Sequence, residues 1–419
     1  MKIKALNKLF FQLRFTVVYS WIAIFALELS AQELKTLRID PSSALSEGIK
    51  AAQYLDEVEY IPLETTQEST IGGIDKMEVT DRYIIITDYW IKKCVFIFLL
   101  DGSFVGKVKI EGSMRDPQVF WDDEQGALCL FKDGIRNYYT IEGKAISVID
   151  SGNRNFNVYL GGNNYASVQY NVSHVAFPDT VNHEVKLFQG THILKEYLPY
   201  NQKFSPIHAY DWISFKDSRK VFESGSKYVY RFVRPFDYGI YVLKDTIFYK
   251  EFEVILPFDR TFPESLLSDH STYEVRNKRQ YFLDYPAAVQ QISSPFRLNN
   301  VLFFRLLSTG AQWLSADAFM YNLKTGTLIG FGSMMGDSLT YHLPLTDNGK
   351  ESVLFLNRNF YTSDGHSVYT AIPAIYIINE MRDLKNKNIS YPKSLLNLRD
   401  RNKRTDNHVI VRIKPKENF

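Results

Sequence analysis

The sequence predicts an all-β protein, a propeller whose blades are four-stranded antiparallel sheets. Three observations predict it. Aromatic residues make up 15% of the 419 residues, chiefly 27 Tyr and 30 Phe, and aromatics favour half-buried pleated surfaces. One unit recurs five times: an apolar strand, a tight turn and a second strand, as Val95–Lys107, Tyr138–Ile149, Val185–Leu198, Ile240–Phe252 and Phe319–Phe331. Its turns fall near residues 102, 143, 190, 245 and 326, and the first intervals have the period of propeller blades.

The turns themselves carry the hairpin chemistry. Four contain glycine (Gly102, Gly143, Gly190 and Gly326) and the fourth in order uses Lys244-Asp245. Tight hairpin turns require positive φ, which glycine adopts freely. Two further strand candidates precede each of the first two hairpins, so blade one reads as Ile74–Lys109 and blade two as Pro117–Asp150. YIIIT, at residues 83–87, is apolar on both faces, as a covered strand should be. The interval before the last hairpin is too long, and Pro257–Pro295 fills it with a partly helical insertion. A β-sandwich or two β domains would also show many short strands; five similar hairpins at blade spacing favour the propeller.

The first residues combine a basic stretch, a thirteen-residue apolar run (FTVVYSWIAIFAL) and small residues at Ser30 and Ala31. That order predicts a signal peptide over residues 1–31, with cleavage near Ala31 and a propeller domain over 32–419. The run is too short for a comfortable membrane span, although an uncleaved anchor is the alternative. Cys94 and Cys129 are the only cysteines, each inside an apolar run. They either form one disulfide or pack as small hydrophobes.

The stretch VEYIPLETTQESTIGGIDKMEVTDRYIIITD, residues 58–88, resembles the opening signature of a six-bladed β-propeller family of secreted and lipid-anchored Bacteroidetes proteins. Later segments match in order: YRFVRPFDYGIYVLKDTIFYKEFEVILPFDRTFPESL, FMYNLKTGTLIG and the closing TDNHVIVRIKPK. The resemblance covers roughly Leu34 to Lys416. Two departures stand out: His408 replaces a proline, and IEGSMRDPQVF replaces a glycine-rich loop. The resemblance implies six blades in a ring closed by pairing of N- and C-terminal strands, here KTLRID (Lys35–Asp40) with VIVRIK (Val409–Lys414), which would remove the exposed sheet edges.

Chemistry is harder to find. The net charge of +2 sets 49 basic against 47 acidic residues, so no nucleic-acid footprint is expected. The eight histidines form no metal-ligand spacing, and neither a metal nor a cofactor is expected. No nucleophile elbow or phosphate loop occurs. Asp122–Glu124 reads as an exposed loop between strands, with paired carboxylates for acid/base work the sharper alternative. Asp88 and Asp133 read as strand-end caps. The runs RNKRQ (276–280) and RDRNKR (399–404) read as solvated loops or as contacts for an anionic partner. DTV, DTI and DSL, at residues 179–181, 245–247 and 337–339, resemble a short O-glycosylation signal of Bacteroidetes exported proteins. The reading is an exported, non-catalytic binding or scaffolding propeller, in the periplasm or at the cell surface. Its expected partner is a glycan, a peptide or another exported protein, with Tyr89, Trp90, Trp121 and Trp212 as candidate stacking surfaces. The alternative is a lyase- or hydrolase-type propeller enzyme with its site in the central funnel.

Overall fold

A computed structural model describes residues 34–419 except 45–47, 113–116, 170–180, 201–219, 269–283, 309–317, 332–333, 348–359, 402 and 404. Two N-terminal strands, β1 (Lys35–Arg38) and β2 (Leu55–Pro62), precede the first blade. Blade one is β3 (Lys76–Val79), β4 (Tyr83–Asp88), β5 (Cys94–Leu99) and β6 (Phe104–Lys109). Blade two is β7 (Gln118–Asp122), β8 (Ala127–Lys132), β9 (Ile135–Tyr139) and β10 (Ala145–Asp150). Blade three is β11 (Val158–Tyr159), β12 (Asn164–Val168), β13 (Asn182–Gln189) and β14 (His192–Tyr200). Blade four is β15 (Val221–Glu223), β16 (Val229–Arg234), β17 (Asp237–Lys244) and β18 (Ile247–Ile255). Blade five is β19 (Val289–Leu298), β20 (Val301–Ser308), β21 (Ala318–Asn322) and β22 (Leu328–Gly330). Blade six is β23 (Thr362–Ser363), β24 (Val368–Ile372), β25 (Val409–Pro415) and, as its outer strand, β2.

All five expected hairpins are present, each joining the third and fourth strands of a blade. Gly102, Gly143, Gly190 and Gly326 all have positive φ, and Asp245 reaches the same region without being glycine (φ 55°). Asp tolerates that conformation because its short polar side chain bonds locally. YIIIT is covered on both faces as expected, with Ile84, Ile85 and Ile86 at most 1% exposed.

The ring closes by pairing N- and C-terminal strands, but the N-terminal partner differs from the one expected. β25 pairs antiparallel with β2, from Leu55↔Pro415 to Pro62↔Val409. Lys35–Arg38 instead pairs parallel with β18 as a fifth strand on blade four. The reason is connectivity: the outer strand of the last blade must lead directly into the first strand of blade one, and VEYIP is the apolar segment nearest β3. VEYIPLE is thus part of blade six and not a lead-in to blade one.

Insertion residues also depart from expectation. Pro257–Pro295 contains a 3-10 turn at Phe258–Arg260 and a helix at Glu264–Ser268. Its final residues, from Val289 on, belong to β19, so the insertion is shorter than read. Two helices between β24 and β25, Ala374–Asp383 and Lys393–Arg401, were not expected. Buried Ala374, Ile377, Ile378 and Met381 follow the helical i, i+3, i+4, i+7 spacing, which is the signal that would have found the first. RDRNKR begins on the last turn of the second helix and is not a loop at its start; RNKRQ lies outside the described residues.

Apolar layers fill the spaces between blades, with Phe98, Phe131, Phe232, Phe252, Phe303 and Phe304 almost wholly buried. Buried charges staple neighbouring blades. Glu184 on β13 meets Lys220 and Arg234 of blade four, with Arg234 Nε at 2.6 Å. Glu251 on β18 holds Arg231 on one oxygen and Arg297 of blade five at 2.5 Å on the other. Cys94 and Cys129 are free thiols in different blades. No helix among the described residues is long and apolar enough to cross a membrane.

Candidate binding site at the channel mouth

Antiparallel order places the turns between first and second strands on one face of the ring, here called the lower face. The turns between second and third strands, and the links between blades, lie on the upper face. The first strands surround the central channel, with β3 beside β23. Hydrogen bonds stitch this inner wall from blade to blade. Lys76 Nζ donates to the Pro117 carbonyl at 3.0 Å. Trp121 N–H donates to Glu78 Oε1 at 3.2 Å. Gln118 accepts from Tyr159 N–H at 2.8 Å and donates its amide to the Tyr230 hydroxyl. One channel-lining side chain thereby ties blades two, three and four.

On the lower face, the first turns of blades one, two, four and six converge on a cavity of about 210 Å³. Two close approaches shape it. Gly225 has φ 81°, and a Cβ there would lie 2.6 Å from Gly365 N and 2.7 Å from the Ser363 carbonyl. Only glycine lets the turns of blades four and six press together across the mouth. A Cβ on Gly161 would lie 2.7 Å from the Tyr228 ring, which seats that ring against blade three. Among the lining residues are Glu78, Trp121, Asp123, Glu223, Lys227 and Tyr228.

The site is polar with an excess of carboxyl groups. Lys227 Nζ pairs with Asp123 Oδ2 at 3.0 Å and sits 5.2 Å from the Tyr228 ring centre. Glu78 is the unusual group. Its Oε2 is buried and without a hydrogen-bond partner. Burial, ahead of the opposing Trp121 N–H bond and reinforced by nearby Glu223, pushes its pKa up to about 8. A carboxyl raised this far holds its proton at neutral pH, which leaves Oε2 able to donate to a ligand while Oε1 accepts from Trp121. Burial likewise raises the hydroxyls of Tyr228 and Tyr230 above their ordinary range.

Of the candidate aromatics among the described residues, Trp121 lies at this cavity, where its ring packs 5.0 Å from Tyr83, and Asp123 of the Asp122–Glu124 run lines it too. Tyr89 and Trp90 lie beyond the far end of β4, on the upper face. Their N–H groups bond Asp75 Oδ2 at 2.6 and 3.1 Å, and Trp90 is 71% exposed. Trp212 lies outside the described residues. Tyr89 and Trp90 thus do not share a surface with Trp121. Asp122 is buried, not exposed as read; it caps its own turn through Glu124 N–H at 3.1 Å and accepts from the Tyr138 hydroxyl at 3.2 Å. Asp123 and Glu124 are exposed. Asp88 accepts four backbone N–H groups, from Gly72, Gly73, Ile91 and Lys92, in keeping with its reading as a cap. No cluster among the described residues has the ligands for a metal ion.

Sequence reasoning missed Glu78, Glu223, Lys227 and Tyr228. Glu78 is the detectable one: a glutamate inside the strand KMEV beside apolar neighbours. The others sit in ESGSKYVY, an ordinary-looking turn.

The architecture is similar to that of a protein of Bacteroides fragilis NCTC 9343 (BF0058) described as a putative exported protein. The two share 12% identity and a TM-score of 0.60 over 91% of this chain and all of that one. A member of the DUF4221 family from Bacteroides vulgatus ATCC 8482 aligns over 86% of this chain and 97% of its own, at 10% identity and a TM-score of 0.40. No protein of curated function matches. Residues 36–414 match the family described as a domain of unknown function, DUF4934, and that span takes in every blade: the chain belongs to this family.

Proposed function

We propose that the chain is an exported, non-catalytic binding propeller of a Bacteroidetes cell envelope, and that it holds a neutral sugar residue of a glycan in the lower channel mouth. The observation that carries this reading is the convergence of four blades on one cavity that sets Trp121 and Tyr228 beside Glu78, Asp123 and Glu223. Ring faces stack on the apolar face of a sugar, while carboxyl groups bond pairs of hydroxyls. The excess of carboxyl groups disfavours anionic sugars. A volume of 210 Å³ is below the roughly 300–1,000 Å³ of sites enclosing drug-sized ligands, so it fits a single ring.

Size also sets the affinity. At about −0.3 kcal/mol per non-hydrogen atom, a ring of about a dozen atoms gains about 4 kcal/mol, a Kd of about 1 mM. Calorimetric titration with neutral monosaccharides should find such binding, with Trp121→Ala weakening it by up to about tenfold. Binding of uronic acids in preference to neutral sugars, or no binding of any neutral sugar, would overturn the reading.

Export rests on the basic, apolar and small-residue order before Gln32; the likeness to that Bacteroides fragilis protein supports it. N-terminal sequencing of protein from the envelope fraction should begin near Gln32, and a soluble cytoplasmic product retaining Met1 would contradict export.

A further inference from the structure

We propose that the outer edge of blade two is a self-pairing surface, on which β10 of one copy lies antiparallel to β10 of a second copy about a two-fold axis at Ser147. All six residues of β10 are exposed, including Ile146 at 53%, Val148 at 66% and Ile149 at 40%. An outer strand carries a row of unpaired backbone groups, and proteins ordinarily guard such edges with charge, proline, shortness or cover.

Every other blade here is guarded. β6 carries Lys107 and Lys109, and β14 carries Lys195, Glu196 and Pro199. β18 is covered by β1. β22 is three buried residues, and β2 carries Asp56, Glu57 and Glu59. Only β10 runs five residues, Ala145 to Ile149, without a charge. Its one guard is a register shift against β9 between Ala145 and Ser147; the pairing from Ser147 to Asp150 is regular. Blade four shows directly that a blade of this ring accepts a fifth strand on its outer edge.

The flanking charges select the occupant. A two-fold axis at Ser147 sets Ile146 opposite Val148 of the second copy and Ala145 opposite Ile149. It also sets Lys144 opposite Asp150 at both ends. Asp150 already holds Arg154 through 2.6 and 2.7 Å bonds, and its carboxylate has lone pairs left for a second cation. Aliphatic pairs directly opposite one another, closed by opposite charges, are the stabilising arrangement in antiparallel sheets. An edge this short falls in the weak, transient class of interface, below about 1,200 Å².

Sedimentation equilibrium on the purified protein tests this. The expected result is a reversible monomer–dimer equilibrium that shifts with concentration, is lost in Val148→Lys, and is weakened in Lys144→Asp and in Asp150→Lys. The double variant Lys144→Asp/Asp150→Lys is expected to regain it, because reversal at both ends restores the opposed signs. Val148 and Asp150 lie on this exposed strand and Lys144 is exposed just before it, and an unchanged melting temperature verifies that the variants fold. A protein monomeric at the highest soluble concentration would overturn the proposal. So would a dimer that survives Val148→Lys, or a double variant no better than the single ones.

Discussion

Removing residues 408–419 is expected to leave no cooperatively folded protein. β25 is not an edge but an inner strand of blade six, paired with β24 on one side and β2 on the other. Val409, Ile410, Val411 and Ile413 are completely buried. At about 1.5–3 kcal/mol each, their loss removes about 6–12 kcal/mol, comparable with the roughly 5–15 kcal/mol that holds a typical domain. The deletion also strips the partner from both neighbours, leaving unpaired backbone groups at the seam. Beyond the strand, the C-terminal tail is anchored to blade five, where the Phe419 carbonyl accepts from Asn322 at 3.2 Å and Thr325 at 3.0 Å. Insoluble expression or the loss of a thermal transition is the expected outcome. An unchanged melting temperature would show that the ring does not depend on this closure.

Replacing Glu78 by glutamine is expected to change the pH dependence of stability more than its size suggests. The native carboxyl titrates near 8, against an ordinary value of 4.5, so between these values the native state keeps a proton that the unfolded chain releases. A raised acid pKa therefore contributes stability that is full below about pH 4.5 and is lost as pH rises towards 8. The slope is at most about 1.4 kcal/mol per pH unit, which over pH 5 to 8 amounts to about 2–4 kcal/mol after allowance for partial solvent screening. Glutamine does not ionise, and its amide oxygen still accepts from Trp121 N–H. Chemical denaturation of Glu78→Gln should thus match the wild type near pH 5 and exceed it increasingly towards pH 8. Parallel stability curves for the two proteins would show that Glu78 is not held protonated.

How much of this was legible in the sequence varies by scale. The hairpins were readable because a turn of positive φ leaves a local mark, a glycine or Asp245 between two apolar runs. Blades one and two were readable to within a few residues for the same reason. Closure was readable in kind but not in detail, because KTLRID and VEYIP are both apolar strands near the N-terminus and only connectivity separates them. The Asp406-Asn407 pair held a further clue. Asn407, buried, accepts from Ile71 N–H at 2.8 Å and donates to the carbonyls of Glu64 and Ser69 at 2.8 and 2.9 Å. That side chain fastens the closing segment to the Thr/Glu-rich turn of the opening one, which explains why the two signatures occur together.

The site was not legible, and the reason is geometric. Glu78, Trp121, Glu223 and Asp364, which also lines the cavity, come from four blades and span positions 78 to 364, and no local pattern groups them. Their convergence depends on which end of each first strand faces the lower mouth, a property of the closed ring. The aromatic pair Tyr89-Trp90 looked more promising in sequence because it is contiguous, yet Asp75 and Asp88 hold its turn on the opposite face. Of the two tryptophans Trp90 and Trp121, only Trp121 borders the cavity.

The most direct test of the account is to locate sugar binding on the ring. The chain has five tryptophans, one of them Trp21 within the proposed signal segment; fluorotryptophan incorporation gives each one retained a separate fluorine NMR resonance, with Trp121→Phe and Trp90→Phe assigning the two that matter. Titration with neutral monosaccharides is predicted to shift the Trp121 resonance saturably while that of Trp90 stays fixed. A shift at Trp90 without one at Trp121, or no shift of Trp121 with any neutral sugar, would contradict the assignment of the lower channel mouth as the binding site.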